Sequence, residues 1–431
     1  MLTGPNRYYL EKHFANWHPR NNDRYSVIFL DMNNFKNIND NYGHTIGDKI
    51  LVQLAQRLQS ACADEALVVR QGGDEFIFIK PYTNNHELRA FIIFLIKSIK
   101  EKIYVDSLEF YLNGCIGVSI SGRHDSALEE LLRQADLAMY EAKRSHTDFT
   151  FYSEQLQQIS NERSDIEEAL HYAFTDNQMY MEYQPQISSE CGRIVGVEAL
   201  IRWAHPTMGM VSPEKFIPIA ESSGLINTVG DFVIDTTFRE VLEIYNLDIQ
   251  QPIRISINIS VRQLLTKRFR SFLNSKSRKY GIRPSNVVLE ITENVFIEDL
   301  DLIQNLLQEL KYDGYQISLD DFGTGYSSLS VLQKLPIDEI KVDKGFVHDI
   351  LSSNQDNALI LGIIGIGQNL NIPILAEGVE ELEQVILLKK YGCDLFQGYY
   401  FSKSVNKDRL IDYLNNYTPF ELHTHNEICS Q

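Results

Sequence analysis

Apolar and polar positions follow two different rhythms along this chain. In its first third, residues 8–17 read as a helix and residues 25–30 as a buried strand ending at Asp31. Residues 35–42 and 47–60 are helical segments, the second with Ile50, Leu51, Leu54, Ala55 and Leu58 at helical spacing. Two short β runs, 67–70 and 76–79, flank Gln71-Gly72-Gly73-Asp74-Glu75, and a glycine pair so placed signals a hairpin. A helix over 87–101, a strand over 111–119 and a helix over 127–143 complete the series. This β-α-ββ-α-β order predicts an α+β domain with helices covering one face of a sheet.

A polar stretch at 153–164, joined to a helix, marks the expected boundary, and beyond it strand-loop-helix units repeat. Apolar strands fall at 179–183, 195–201, 253–257, 287–291, 316–319, 339–342, 373–376 and 395–399, most of them separated by amphipathic helices. Repetition of this kind predicts an α/β domain, a (β/α)8 barrel of the TIM-like type. The expected layout is a first domain over 1–155, a barrel over 160–418 and a polar tail from 419 to 431.

Composition adds exclusions. Apolar residues at 44% and charged residues at 23% are ordinary for a globular chain of 431 residues. The net charge of −18 argues against a protein that holds a nucleic-acid polymer through phosphate contacts. Cys62, Cys115, Cys191, Cys393 and Cys429 form no CxxC pair, so neither a zinc site nor a disulfide framework is expected. The opening Met1-Leu2-Thr3-Gly4-Pro5-Asn6-Arg7 has no signal-peptide pattern, and the longest apolar runs, 91–96 and 358–367, are too short for a membrane span. A cytoplasmic protein is the expectation.

The candidate chemistry centres on residues 318–329, where a short strand runs into Asp320 and Asp321 and then a loop with two glycines. Adjacent carboxylates repel unless a positive charge sits between or beside them, and a divalent cation with oxygen ligands supplies one. Nearly every predicted barrel strand ends in a comparable group. Glu198 lies on the second, Asn258 ends the third, and Glu290 with Glu293 follow the fourth. Lys341 and Asp343 lie on the sixth and Glu377 ends the seventh. Converging at one mouth, these carboxylates and the amide suit Mg²⁺ or Mn²⁺, and shared carboxylates suggest two metals of the kind used in phosphodiester cleavage.

These residues fall into motifs. Glu198-Ala199-Leu200-Ile201-Arg202-Trp203 with His205-Pro206 resembles the signature of EAL-domain cyclic di-GMP phosphodiesterases. The likeness runs from about 165 to 417, with Tyr183-Gln184-Pro185, Asn258-Ile259-Ser260, Glu290-Ile291-Thr292-Glu293, Lys341-Val342-Asp343, Glu377-Gly378-Val379-Glu380 and Gln397-Gly398-Tyr399 in the family's order. The resemblance implies two metals held by Glu198, Asn258, Glu290, Asp320 and Asp321, with Glu198 and Asp320 thereby catalytic. It implies that Lys341 holds the attacking water, that Glu377 is its base, and that Gln184, Arg202, Asp343, Glu380 and Gln397 bind substrate. It also implies that Glu293 braces the loop 322–328, which couples dimerisation to activity. Ser404 stands where proline is usual; lying outside the metal set, it is expected to matter little.

The first third carries its own pair of motifs. Gln71-Gly72-Gly73-Asp74-Glu75-Phe76 together with the run from Leu30 to Asp40 resembles a GGDEF diguanylate cyclase domain with a cyclase-like palm. In that resemblance the glycine hairpin lets backbone approach a nucleotide closely, and Asp74 and Asp31 would hold Mg²⁺ on a triphosphate. The resemblance assigns guanine reading to Asn39 and Asp48, phosphate contacts to Lys36 and Lys143, and nucleotide binding to Glu75 as well. Several positions depart from it: a shortened opening at 3–7, Asn33 for the second aspartate, Thr147 for an arginine, His146 for a glycine, and Ala63 and Ala66 in place of the product-inhibition motif.

Together the resemblances imply hydrolysis of cyclic di-GMP to linear pGpG, a GTP-binding regulatory first domain, and a homodimer. A net or bifunctional diguanylate cyclase, and a silent cyclic di-GMP receptor or scaffold, remain as alternatives.

Overall fold

The computed structural model describes residues 24–62, 65–121, 127–245, 253–293, 300–323 and 332–419, with Leu10 and Val295. The rest of the helix expected at 8–17, the opening at 3–7, Ala63, loop residues 324–328 and the tail from 420 onward lie outside the described residues. The chain divides into two compact units, 1–164 and 165–431.

The first unit is built on five strands in the order β2-β3-β1-β6-β7: β1 (Arg24–Met32), β2 (Leu67–Gly72), β3 (Glu75–Tyr82), β6 (Gly114–Ile120) and β7 (Phe149–Phe151). A separate hairpin, β4 (Ile103–Val105) with β5 (Leu108–Phe110), lies just before β6, which starts at Gly114 rather than at the expected 111. The expectation of one covered face is corrected: helices pack on both. Ile28, Leu30, Phe76 and Phe78 join one core with Leu54 and Ile92, from helices His44–Cys62 and Asn85–Lys100. Val27, Phe29, Ile77 and Ile79 join another with Leu131, Ala135 and Met139 of helix Leu128–Arg144. An uninterrupted apolar run such as Val27 to Leu30, rather than an alternating one, is what burial on two faces requires. Gly117 allows the last helix to seat, since a Cβ there would come within 1.9 Å of the Ala135 carbonyl oxygen.

The second unit is a closed barrel. Its strands are β8 (Met179–Ser188), β9 (Ile194–His205), β11 (Arg254–Asn258), β12 (Val287–Thr292), β13 (Gln316–Phe322), β14 (Glu339–Val342), β15 (Ile374–Ala376) and β16 (Leu395–Phe396), with β10 (Gly209–Val211) appended to β9. β16 stops at Phe396, short of the 399 expected. Neighbours from β9 through β16 run parallel, whereas β8 is antiparallel to both β9 and β16. Only residues 189–193 join β8 to β9, and a parallel pair would need a crossover of roughly a dozen residues or more.

The period-2 pleat then sorts each strand. On β8, Met179, Met181 and Tyr183 join the apolar core, while Glu182, Gln184 and Gln186 alternate with them. The same alternation sets Glu198 and Arg202 together on β9, Ser256 and Asn258 on β11, Ser318 and Asp320 on β13, and Glu339 and Lys341 on β14. At the N-terminal ends of these strands, Glu339 pairs with Arg254 at 3.1 Å and accepts from Ser318 at 3.2 Å. At the C-terminal ends lies the candidate site.

Candidate functional site

Lys341 is the hub of the barrel mouth. Its Nζ is fully buried, 2.6 Å from Glu377, 2.9 Å from Glu290, 3.4 Å from Glu198 and 3.5 Å from Asp320. Strand register brings these groups together. Glu198 is level with Ser256, Asn258 with Glu290, and Thr292 with Asp320. Glu377 follows β15 directly, its backbone N–H bonded to the Val342 carbonyl of β14.

Side chains outside the acidic ring fix Glu198. Asn258 donates to Glu198 Oε1 at 2.7 Å, and Gln397 donates to Glu198 Oε2 and, at 3.1 Å, to Gln184. Gln397 accepts in turn from Gln186 at 3.1 Å, and Gln184 donates to the Ser402 carbonyl at 3.1 Å. Gln397 is therefore buried behind Glu198. A close backbone approach holds it there, since a Cβ on Gly398 would fall 2.1 Å from the Val379 carbonyl. Asp321 adopts a left-handed φ of 56° at a β-bulge between Leu319 and Phe322, which turns it out of the strand's alternation beside Asp320.

Burial and like charge set the electrostatics. Desolvation drives the Lys341 ammonium toward neutrality, but Asp320, Glu198, Glu290 and Glu377 hold it well above the usual lysine range. Burial, with the neighbouring Glu198, pushes Glu290 well up. Burial raises Glu377 to about 8 against the pull of Lys341, with Asp320 and Glu198 adding to the rise. Asp321 is raised to about 6 by burial and by Asp320 and Asp343. Glu198 goes the other way: although buried, it is lowered by Lys341 and its amide donors.

The group fits hard cations. Oxygen atoms of Asp320, Asp321 and Glu377 lie within 4.8 Å of one another, and Glu290 Oε1 is buried without a hydrogen-bond partner among the described residues. All these donors are oxygens, as Mg²⁺ and Mn²⁺ prefer. The site opens into a cavity of about 670 Å³ bordered by Arg202, Asn258, Glu290, Asp320 and Asp321, with an apolar wall that includes Ile217 and Val233.

Other expected residues sit further out. Arg202 donates to Glu182 at 2.8 Å and to Ser404 at 2.9 Å. Glu293 accepts from the Gly323 backbone N–H at 3.2 Å, where the loop of 322–328 starts. Asp343 caps helix Lys344–Asp349 by accepting from the Gly345 N–H at 2.9 Å, and Glu380 is exposed. Glu182 and Gln186 were not singled out in the sequence; the polar alternation Glu182-x-Gln184-x-Gln186 in β8 was the available signal.

In the first unit, Asp31 and Glu75 are register partners on β1 and β3, and Lys143 donates to Asp31 at 2.7 Å. Burial raises Asp74 and Glu75, and the Asp31 charge adds to both, so these acids share one field. Asp136, which had not been singled out, also acts on Glu75. Asn39 packs against Gly47, where a Cβ would lie 1.9 Å from its Oδ1, while Lys36 and Asp48 are exposed. Asn33, at the departure from the usual aspartate, donates to Cys115 Sγ at 3.4 Å.

Comparison with known proteins decides the family. The family model described as EAL domain matches residues 167–404. The chain belongs to the EAL domain family. The model described as Diguanylate cyclase, GGDEF domain matches residues 1–148, so a GGDEF domain precedes the EAL barrel. Cyclic di-GMP phosphodiesterase NbdA of Pseudomonas aeruginosa is 34% identical over 91% of this chain and 50% of its own length. Bifunctional diguanylate cyclase/cyclic di-GMP phosphodiesterase MucR of the same species is 31% identical over 91% of this chain and 57% of its own. The chain spans about half the length of the curated relatives it matches. Among solved structures, the PaMucR phosphodiesterase–c-di-GMP complex is 34% identical over 57% of this chain and 99% of that one, with a TM-score of 0.55. EAL enzyme Bd1971, in its cAMP- and cyclic-di-GMP-bound form, is 26% identical over 73% and 92%, with a TM-score of 0.58. No helix among the described residues is long and apolar enough to cross a membrane.

Proposed function

We propose that the EAL barrel hydrolyses cyclic di-GMP to linear pGpG at its C-terminal mouth. The observation that carries this reading is the Lys341 ammonium buried among Glu377, Glu290, Glu198 and Asp320 within 3.5 Å. With Asp321, five carboxylates face one ammonium, and once all five are ionised the excess of four negative charges is one that two divalent cations balance. Glu198, Asn258, Glu290, Asp320 and Asp321 would hold them as Mg²⁺ or Mn²⁺. When bound, such ions polarise the phosphoryl oxygen and stabilise the leaving oxygen.

The chain's own groups do the rest. Lys341 orients a water through its Nζ, and Glu377, 2.6 Å from that nitrogen, accepts the water's proton as its oxygen attacks phosphorus and the P–O bond to the leaving sugar breaks. Arg202 meets a phosphate and Gln184 the substrate beside it, while Gln397 keeps Glu198 in place. Asp343 and Glu380 border the substrate at the rim, and Glu293 anchors the loop that begins at Gly323.

The GGDEF domain binds Mg-GTP through Asp31, Asp74, Glu75, Lys36, Asn39, Asp48 and Lys143 and regulates the barrel. The protein works as a cytoplasmic homodimer. Purified protein with Mg²⁺ or Mn²⁺ is incubated with cyclic di-GMP or with GTP, and the nucleotides are separated by chromatography. Conversion of cyclic di-GMP to pGpG without synthesis from GTP is expected. Synthesis without hydrolysis overturns the reading, and binding without either reaction favours a receptor.

A further inference from the structure

Ser404 was expected to matter little, yet its hydroxyl closes a ring with two charged side chains. Arg202 Nε donates to Glu182 Oε2 at 2.8 Å and its terminal NH2 donates to Ser404 Oγ at 2.9 Å. Ser404 Oγ donates to the same Glu182 Oε2 at 2.7 Å. A hydroxyl can accept and donate at once; alanine and proline side chains can do neither. Glu182 and Arg202 are each about one-fifth exposed, so the ring is partly shielded from water.

The backbone fixes Ser404 where the ring needs it. Tyr183 of β8 and Val405 exchange two backbone hydrogen bonds, of 2.7 and 2.9 Å, and the Ser402 carbonyl accepts from Gln184 at 3.1 Å. The hydroxyl thus sits between two anchored neighbours on a segment laid against the strand that carries Glu182 and Gln184.

The ring's effect falls on the guanidinium plane. Its third nitrogen donates to the Ile201 carbonyl at 3.0 Å, so among the described residues one N–H on each terminal nitrogen is left over. Those two donors form the end-on fork that suits two oxygens of a phosphate, and Arg202 borders the cavity shared with Asn258, Asp320 and Asp321. Without Ser404 the plane is held by Glu182 through Nε and by a carbonyl of the adjacent residue, and it can swing about that pivot.

We propose that Ser404 is a positioning residue. With Glu182 it locks the Arg202 guanidinium so that its end-on fork faces the substrate phosphate. The inference rests on the phosphodiesterase reading only for the identity of that substrate.

The test is a double-mutant cycle read as steady-state kinetics with cyclic di-GMP and Mg²⁺. Ser404→Ala is expected to raise KM about three- to tenfold with kcat within about twofold, the pattern of lost uniform binding. Ser404→Thr, which keeps the hydroxyl, is expected to restore the wild-type KM. In an Arg202→Ala background, Ser404→Ala is expected to change KM by less than about twofold, because the group it positions is gone. An unchanged KM in Ser404→Ala, or an equal penalty with and without Arg202, overturns the proposal. Should the wild type bind cyclic di-GMP without hydrolysing it, the same five proteins are titrated by calorimetry. The same pattern in Kd then upholds Ser404's role while the phosphodiesterase reading falls, and additive effects overturn the role as well.

Discussion

The two units each gather acids around a lysine, and they do it in opposite ways. At the barrel mouth the lysine is fully buried and touches four carboxylates, one of which, Glu198, is braced by Asn258 and by Gln397 with the glutamines behind it. At strand ends of the first unit's sheet, Lys143 is about half exposed and pairs with Asp31, while Asp74 and Glu75 lie on the adjoining hairpin. A closed barrel encloses the ends of its strands' inward side chains, so its charges are desolvated and coupled. An open sheet leaves its acids at strand ends that solvent partly reaches.

The largest effect that can break this contrast is on activity. Glu198→Ala should lower cyclic di-GMP hydrolysis by about a thousandfold or more while circular dichroism stays native, since it removes a ligand of the proposed ions. Asp31→Ala, the matching change in the first unit, should leave the unstimulated rate within about threefold. Full turnover by the first variant would sink the metal assignment.

Stability should separate the two lysines next. In chelator, Lys341→Met leaves buried acids uncompensated and should cost about 3–5 kcal/mol in urea unfolding of the barrel. Lys143→Met removes a solvent-reached pair and should cost under about 1 kcal/mol. Equal costs would show that the barrel mouth is wetter than its packing implies.

The smallest effect is a pH slope. Glu377 and Asp321 titrate near 4.5 and 3.8 when unperturbed, and in the folded, metal-free barrel they rise to about 8 and about 6. Between those limits the folded state binds more protons than the unfolded one. Stability is therefore full below about pH 4 and is lost as pH rises through 6 and then 8. Thermal melts in EDTA should fall in Tm from about pH 5 to pH 8.5, and saturating Mg²⁺ or Mn²⁺ should flatten the slope. A Tm that climbs over that range in EDTA would contradict the placement of these carboxylates.

Strand positions were legible because apolar runs of four to six residues leave few other options: Glu339–Val342 matches the expected strand, and most others extend it by a few residues. The carboxylates at strand ends were legible for a similar reason, since an acid closing an apolar run has little to do there unless it meets a cation. Less legible were Glu182, Gln186 and Ser404, ordinary polar residues whose partners lie across the barrel. Gln186 meets Gln397, and Ser404 meets Arg202, across more than two hundred residues of chain.

By itself, then, the sequence determined two domains, the strand rhythm of each and the identity of the acids and lysines. Those are local properties, carried by side-chain type and period. Tertiary structure alone decided that helices cover both faces of the first sheet, and that β8 runs antiparallel. It also decided that Lys341 sits inside the acidic ring and that Ser404 ties down Arg202. Each of these depends on which distant strand lies beside which, and at what register. Barrel closure sets that register globally, because a one-residue slip would turn every inward side chain out of the site.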